Sequence, residues 1–523
     1  MDDRLPSDVD VVVLGTGLPE AIIAAACSRS GLTVLHLDRN DYYGETWSSF
    51  NMNTMEEWLE SNNTAELEKS TTEEISAHLK DGEVYTEFGD RQVISNVESV
   101  WTSEALASDE ENKSEKEKLK DISRRFSIDL LPKALLSRGE MVKTLCDSQV
   151  SNYTEFKLID RQLCPAVDEP SGEIAFNQVP CSKGDIFTSQ VLTMLEKRML
   201  MKFINFCTQY STGSEEAKKL YIEYESKPFS VFLETMGIKG HLQSYIIDAI
   251  AILQPRPLTS TGLDAVCKFM DSVGHFGPSP FLFPLYGCGE LAQCFCRLSA
   301  VFGSTYCLAR PVNGLISADG SVKAVIADGQ RINCSTVFMS PRYLPSSASV
   351  AEEQQDIRRV TYLTKSSLKT EEKQRITLPS AEVTRIIEAG SEACLTPKGY
   401  YLLHATGSSD GDETLDKAVE SLMEKKEVKH LWKLSFDMTP IRSRPDEPVL
   451  SSTSQVYLCP TIDANLDYAR VVNQCKSLFC SIWPDRDFLP RGIAKSDEDE
   501  EDNHVEHVES QKINASQETY LPL

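Results

Sequence analysis

The stretch from Asp10 to Asp38 constrains the chain more than any other. Asp10-Val-Val-Val-Leu-Gly15-Thr-Gly17-Leu-Pro-Glu20 runs an apolar segment into a glycine turn. Ala21-Ile-Ile-Ala-Ala-Ala-Cys27 continues it as an alanine-rich helix, and Thr33-Val-Leu-His-Leu-Asp38 ends a second apolar segment on an acid. That is the order of a βαβ dinucleotide-binding unit. In such a unit the glycines allow a tight turn and let a diphosphate reach the free N–H groups at a helix N-terminus. Gly15 and Gly17 are in place, but the third glycine position holds Glu20. A carboxylate in the first helical turn suits the helix dipole, yet it occupies the positive end that a diphosphate needs. The sequence therefore predicts a fold kept without its cofactor. The alternative is a Glu20 side chain turned outward with a flavin still bound, and an absorption spectrum separates the two.

At 523 residues the chain suits two or three domains with ample core volume. Its 53 Lys and Arg against 79 Asp and Glu give a net charge of -26, which argues against nucleic acid or lasting attraction to an anionic membrane. Fifteen cysteines, an odd number without framework spacing, fit free thiols in a reducing compartment. Cys294 and Cys296 have no second pair or histidine cluster beside them, so no metal site is expected. No secretory signal opens the chain, no run of about 18 apolar residues occurs, and Tyr520-Leu-Pro-Leu523 lacks a prenylation cysteine. A soluble, cytosolic protein is the expectation.

Residues 1–121 read as the first part of an α/β domain. Arg39-Asn-Asp-Tyr-Tyr43-Gly44-Glu-Thr-Trp47 is an aromatic loop after the second strand, and about 60–121 is a polar, acidic insertion read as a solvated helix or disordered segment. Ile128–Leu136, Glu140–Leu145, Ser189–Phe206, Tyr245–Leu253 and Leu263–Met270 carry helical spacing, so 122–275 is expected to be an inserted all-helical domain. In the longest of these, Leu192, Leu195, Met199 and Phe203 share one face that Met201 and Ile204 widen. Met194, Met199 and Met201 are flexible enough to line a greasy pocket, although each also suits core packing. Residues 276–490 return to α/β texture, with a helix near Glu290, a hairpin over Ile316–Ile326, four short strands, and a last helix from about Tyr468 to Trp483. Residues 491–523, opened by Ser496-Asp-Glu-Asp-Glu-Glu-Asp502, read as a disordered acidic tail.

No Gly-x-Ser-x-Gly elbow, P-loop or His-Glu-x-x-His occurs. Nucleotide-dependent redox chemistry is the only catalytic class with support, and Glu20 weakens it.

Leu14-Gly-Thr-Gly-Leu-Pro-Glu20, Asp38-Arg-Asn-Asp-Tyr-Tyr43-Gly44, Glu196-Lys-Arg198 and Phe283-Pro-Leu-Tyr286-Gly-Cys-Gly-Glu290-Leu, in that order, resemble the Rab GDP-dissociation inhibitor and Rab escort protein superfamily. The resemblance runs from residue 6 to about 490. It implies a flavoprotein-like α/β fold, of the FAD/NAD(P)-binding βαβ type, without a cofactor. Ser28-Arg-Ser-Gly31, Tyr42-Tyr-Gly-Glu-Thr-Trp47, the insertion before Phe126 and Val179–Phe187 are closer to the escort branch. The implied activity is non-catalytic: binding newly made GDP-bound Rab GTPases, presenting them to the Rab geranylgeranyl transferase α/β heterodimer, then holding the geranylgeranyl lipid during transient delivery to a membrane. Implied Rab-binding residues are Tyr43, Glu290, Arg297 and Tyr306; implied transferase-binding residues are Phe187 and Arg198. Leu195, Met199 and Phe203 are the prenyl-pocket candidates. Ala292 and Ser304 depart from the superfamily's common proline and glycine. A GDP-dissociation inhibitor that recycles prenylated Rabs is the alternative, with a flavin amine oxidase behind it.

Overall fold

The computed structural model describes residues 4–62, 75–108, 113–167, 174–180, 183–190, 192–252, 257–345, 347–352, 356–368, 377–381, 384–408, 415–443, 448–450, 453–490 and 521–522. Part of the expected insertion and, apart from Leu521–Pro522, the expected acidic tail lie outside the described residues; Leu521 and Pro522 pair as a strand with Phe156 and Glu155, which departs there from the expected disorder. The opening unit forms as its sequence predicts: strand β1 (Val11–Leu14), helix α1 (Leu18–Arg29) and strand β2 (Val34–Leu37). β1 and β2 pair in parallel with Val11 beside Val34, and β3 (Thr305–Cys307), β4 (Thr336–Met339) and β5 (Val456–Leu458) complete a five-stranded sheet in the order β3-β2-β1-β4-β5. Every residue of β1 and β2 is buried, as expected of a parallel sheet covered on both faces. α1 is buried from Leu18 to Ser28, which explains why it is alanine-rich rather than amphipathic.

Helix α2 (Met52–Asn62) follows the aromatic loop. The polar stretch beyond it is more ordered than expected. Val84–Glu87 joins an antiparallel sheet with the hairpin Val312–Ala318 and Ser321–Ala327, and Ile94–Trp101 forms the edge of an eight-stranded sheet beside His430–Met438. Edge strands need few buried apolar residues, so their sequence reads as polar. The charge run ends in a short solvated helix, Glu115–Asp121, with a Ser114/Glu117 capping box.

The expectation of an all-helical 122–275 needs correction. Ile128–Asp129, Leu135–Leu136, Glu155–Leu158, Arg161–Val167 and Ile174–Gln178 are strands. Apolar residues three or four apart over such short runs satisfy both periods, and pairing to distant strands, such as Leu282 to Leu135, decides between them. The helical domain proper starts with α3 (Lys183–Thr188) and α4 (Met194–Ser211) and continues through α5 (Phe229–Thr235) to α6 (Thr259–Ser272). Phe203 on Phe229 and Phe206 on Phe232, with ring centres 6.3 and 5.3 Å apart, form its core. Burying each such ring contributes roughly 1.5–3 kcal/mol. The run at Tyr245–Ala251 winds as a π-helix.

α7 (Gly289–Val301) and α8 (Ala469–Ile482) both pack on α1. Among the described residues, no helix is long and apolar enough to cross a membrane, and no cluster of His, Cys, Asp or Glu could hold a metal ion.

Candidate functional site

The glycine turn faces carboxylates. Gly15 has φ +96°, and a Cβ there would lie 2.7 Å from Glu45 Oε1; one on Gly17 would overlap Glu20 Oε2. Glu20 is only 2% exposed and points inward, against the turn. Asp38, at the end of β2, accepts from Thr16 N at 2.8 Å and Thr16 Oγ1 at 2.6 Å, bonds internal to the protein. Burial raises all three acids: Glu20 to about 8, Glu45 well above the carboxylate range, and Asp38 upward against its Thr16 bonds. The cavity left between Glu20, Glu45, Ser340 and Arg342 is about 20 Å³. A flavin dinucleotide does not fit that arrangement, because its diphosphate would meet two carboxyl groups where free N–H groups are needed.

The same turn lies beside two of the tyrosines that the resemblance singles out. His36 Nε2 bonds Gly15 O, its Nδ1 lies 2.7 Å from the Tyr306 hydroxyl, and the Tyr43 ring centre is 6.4 Å from that of Tyr306. Burial of His36 lowers its pKa to about 4, so it is the neutral ring that holds Tyr306. α7 runs alongside. Glu290, Gln293 and Arg297 stand at i, i+3 and i+7, one face of that helix, and the Arg297 guanidinium lies 4.5 Å over the Tyr153 ring. Glu290 is half-buried, and burial raises its pKa. Among the described residues, no ion pair joins Glu290 to Arg297, which stand seven residues apart on α7. The structure thus brings Tyr43 and Tyr306 together and sets Glu290 and Arg297 on the adjoining face of α7. Ala292 is on the buried face, and Ser304 closes the helix end through a 2.6 Å bond between its hydroxyl and that of Ser299.

Sequence reasoning missed what aims α7. Gly287 has φ +102°, and a Cβ there would sit 2.7 Å from Asp129, Ser127 and Ser49 oxygens, so both the backbone and the space call for glycine. Asp129 Oδ1 accepts from Cys288 N at 2.8 Å and from the Ser49 hydroxyl, while Ser49 Oγ accepts from Gly289 N at 2.8 Å. One buried acid therefore joins the Tyr43 loop to the start of α7. Burial raises it to about 6 against those bonds.

In the helical domain, Thr193 and Glu196 form a capping box that starts α4, and Lys197 Nζ donates to Phe187 O at 2.9 Å. Phe187 is 65% exposed. It and Arg198 line a groove of about 930 Å³ between α3, α4 and α5. Met194, Met201, Phe206, Phe232 and Met236 supply its apolar wall. The three prenyl-pocket candidates do not line it: Leu195 is 61% exposed on another face, Met199 packs towards Gly237, and Phe203 is 1% exposed in the core. The α4 stripe chosen by spacing is the one that faces the domain's own core and its margin. The groove lies on the neighbouring stripe Met194, Arg198, Met201 and Asn205, where the polar residues concealed it.

A family model described as GDP dissociation inhibitor matches residues 1–75 and 93–488. The chain is 52% identical to "Rab proteins geranylgeranyltransferase component A 1" of Caenorhabditis elegans, across 95% of this chain and 97% of that protein. The crystal structure of a Rab GDI from Plasmodium falciparum covers 92% of this chain and 99% of its own, with TM-score 0.69 and 18% identity. An oxidoreductase structure from Methanosarcina mazei covers 90% of this chain and 99% of its own, with TM-score 0.51 and 11% identity. These two likenesses establish the fold, a flavoprotein-like α/β domain with an inserted helical one.

Proposed function

The chain belongs to the GDP dissociation inhibitor family, and from that premise we propose that it is an escort: a non-catalytic accessory component of Rab geranylgeranyl transferase. It binds a newly made GDP-bound Rab GTPase, presents the Rab's C-terminal cysteines to the α/β heterodimer, and keeps the geranylgeranylated product in the cytosol until transient delivery to a membrane. Tyr43, Glu290, Arg297 and Tyr306 take the Rab. Arg offers a fork of donors and Tyr an amphipathic anchor, residue types that dominate interface energetics. Phe187 and Arg198 take the transferase.

The likeness to a component A protein supports the reading. The observation that carries it is the position of Phe187, an aromatic ring 65% exposed on the rim of a groove walled by methionines. An exposed aromatic in that position is a liability unless a partner covers it. The methionine wall suits the lipid, whose burial contributes about 0.8 kcal/mol per CH₂ group. We therefore move the prenyl site from Leu195, Met199 and Phe203 to the wall containing Met194, Met201 and Met236. Lipid and transferase sites would then share one groove, which lets the product pass from one to the other.

The test is geranylgeranyl transfer onto a GDP-loaded Rab by the transferase heterodimer. Transfer should require the chain and fall at least about tenfold with Phe187→Ala, at unchanged affinity for unprenylated Rab. A chain that binds Rab but supports no transfer would instead be a recycling inhibitor.

A further inference from the structure

Beside the α7 face lies a second groove, about 480 Å³, between the Tyr43 loop, α2 and α7. Its walls are aromatic. Phe50 and Trp58 are buried with ring centres 5.9 Å apart, and Tyr42 meets Phe50 edge-on at 5.0 Å. Two carboxylates, Asp41 on the loop and Glu57 on α2, stand exposed at the rim, and neither carboxylate has a hydrogen bond or ion pair among the described residues. The neighbouring acid on α2 shows the contrast: Glu56 is held by Lys116 at 3.0 Å and by Lys120. Two arginines beside the loop are engaged elsewhere: Arg39 and Arg342 both bond Asp90 at 2.8 Å, and Arg342 also donates to Asn40 Oδ1. The groove is built before anything enters it. Asn51 Oδ1 caps α2 by accepting from Asn53 N at 2.9 Å and Thr54 N at 3.0 Å, and the Ser123 hydroxyl donates to it at 2.7 Å.

Unpaired carboxylates at the rim attract a cation by charge, and the half-buried Tyr42 ring beside them adds its quadrupole over the packed Phe50 and Trp58 floor. Gln293 of α7 and Tyr43 both line this groove, so a protein lying along Glu290, Gln293 and Arg297 covers its mouth. We propose that the groove receives a lysine or arginine side chain projecting from the GTPase docked on α7, held between Asp41 and Glu57 beside the Tyr42 ring. The chain's net charge of -26 favours a basic contact of this kind. A side chain in this position selects among GTPases: one with a basic residue there binds, and one with an acid is repelled. The inference rests on the Rab-docking reading of α7.

The experiment is a titration of the full chain with fluorescent GDP-loaded Rab at about 50 and about 300 mM salt. The variants are wild type, the double Asp41→Asn/Glu57→Gln, and Arg297→Ala. Both acids are exposed and unpaired, so the double variant should unfold at the wild-type temperature. Its affinity should fall about tenfold at low salt and by much less at high salt, because rim charges act through a screened field. Wild-type affinity and salt slope in the double variant, with Arg297→Ala still weakening binding, would overturn the groove assignment alone. No Rab binding by wild type, or none lost with Arg297→Ala, would overturn the docking reading beneath it.

Discussion

Glu20 decides what the glycine turn can hold. Its position in the first turn of a helix is legible in the sequence, but its direction is not, because that depends on Glu45 and Ser340 arriving from elsewhere in the chain. Turned inward, its carboxyl group is desolvated and keeps its proton up to about 8, against an ordinary value of 4.5. In the unfolded chain the same group ionises near the ordinary value, so between the two the folded state binds more protons and stability falls as pH rises, levelling above about 8. Gln mimics the protonated form. Glu20→Gln is expected to stabilise the fold by on the order of 1–3 kcal/mol at pH near 8, and by little at pH near 5, in denaturant titrations at the two values. A gain that does not grow with pH would show that Glu20 is ionised in the native state. Tyr306 makes the same point differently: its residue type suits an interface, but its 2.7 Å bond to His36 arises because β2 and β3 are neighbours in the sheet.

At the scale of elements, α7 illustrates how a surface is aimed. Its own sequence specifies a helix with Glu290, Gln293 and Arg297 on one side, while its direction depends on Asp129, 159 residues from Cys288 in sequence. Asp129→Ala removes the acceptor for Cys288 N and the Ser49 hydroxyl and leaves buried donors unpaired. The expected cost is about 1–3 kcal/mol of stability, with Rab affinity lowered as the Tyr43 loop and α7 lose their shared anchor. Asp129→Asn keeps an acceptor oxygen and should recover most of both. Unfolding curves and Rab titrations of the two variants check this. α4 shows the limit of periodicity. An 18-residue helix with apolar residues on more than one face must bury one face and display another. Spacing alone selected the stripe that packs towards the core, whereas the groove opened on the stripe containing Met194 and Met201.

For the molecule as a whole, the flavoprotein-like fold and the carboxylates in its nucleotide crevice lead to one expectation. Protein purified from a flavin-replete host should show no stoichiometric flavin absorbance; a flavin spectrum after gel filtration would refute the crevice assignment. The βαβ opening, the 316–326 hairpin and the last helix were legible in the sequence, because each rests on a local pattern: glycines at a turn, apolar residues at period 2 or 3.6, an acid closing a strand. The strands in 128–158 were not, since short apolar runs such as Leu135–Leu136 satisfy either period until a distant partner, here Phe281–Pro284, pairs with them. By itself, the sequence determined which segments are helix, strand or turn wherever the pattern is long, and which residues have the chemistry to bind a partner. Only the tertiary structure decided which of those residues share a surface. Glu20 meets Glu45, Asp129 sits beneath Gly287, and Met201 faces the same groove as Met236 because packing joins chain segments tens to hundreds of residues apart. Which face of an element is covered, and by what, is a property of the neighbours that cover it and leaves no local trace.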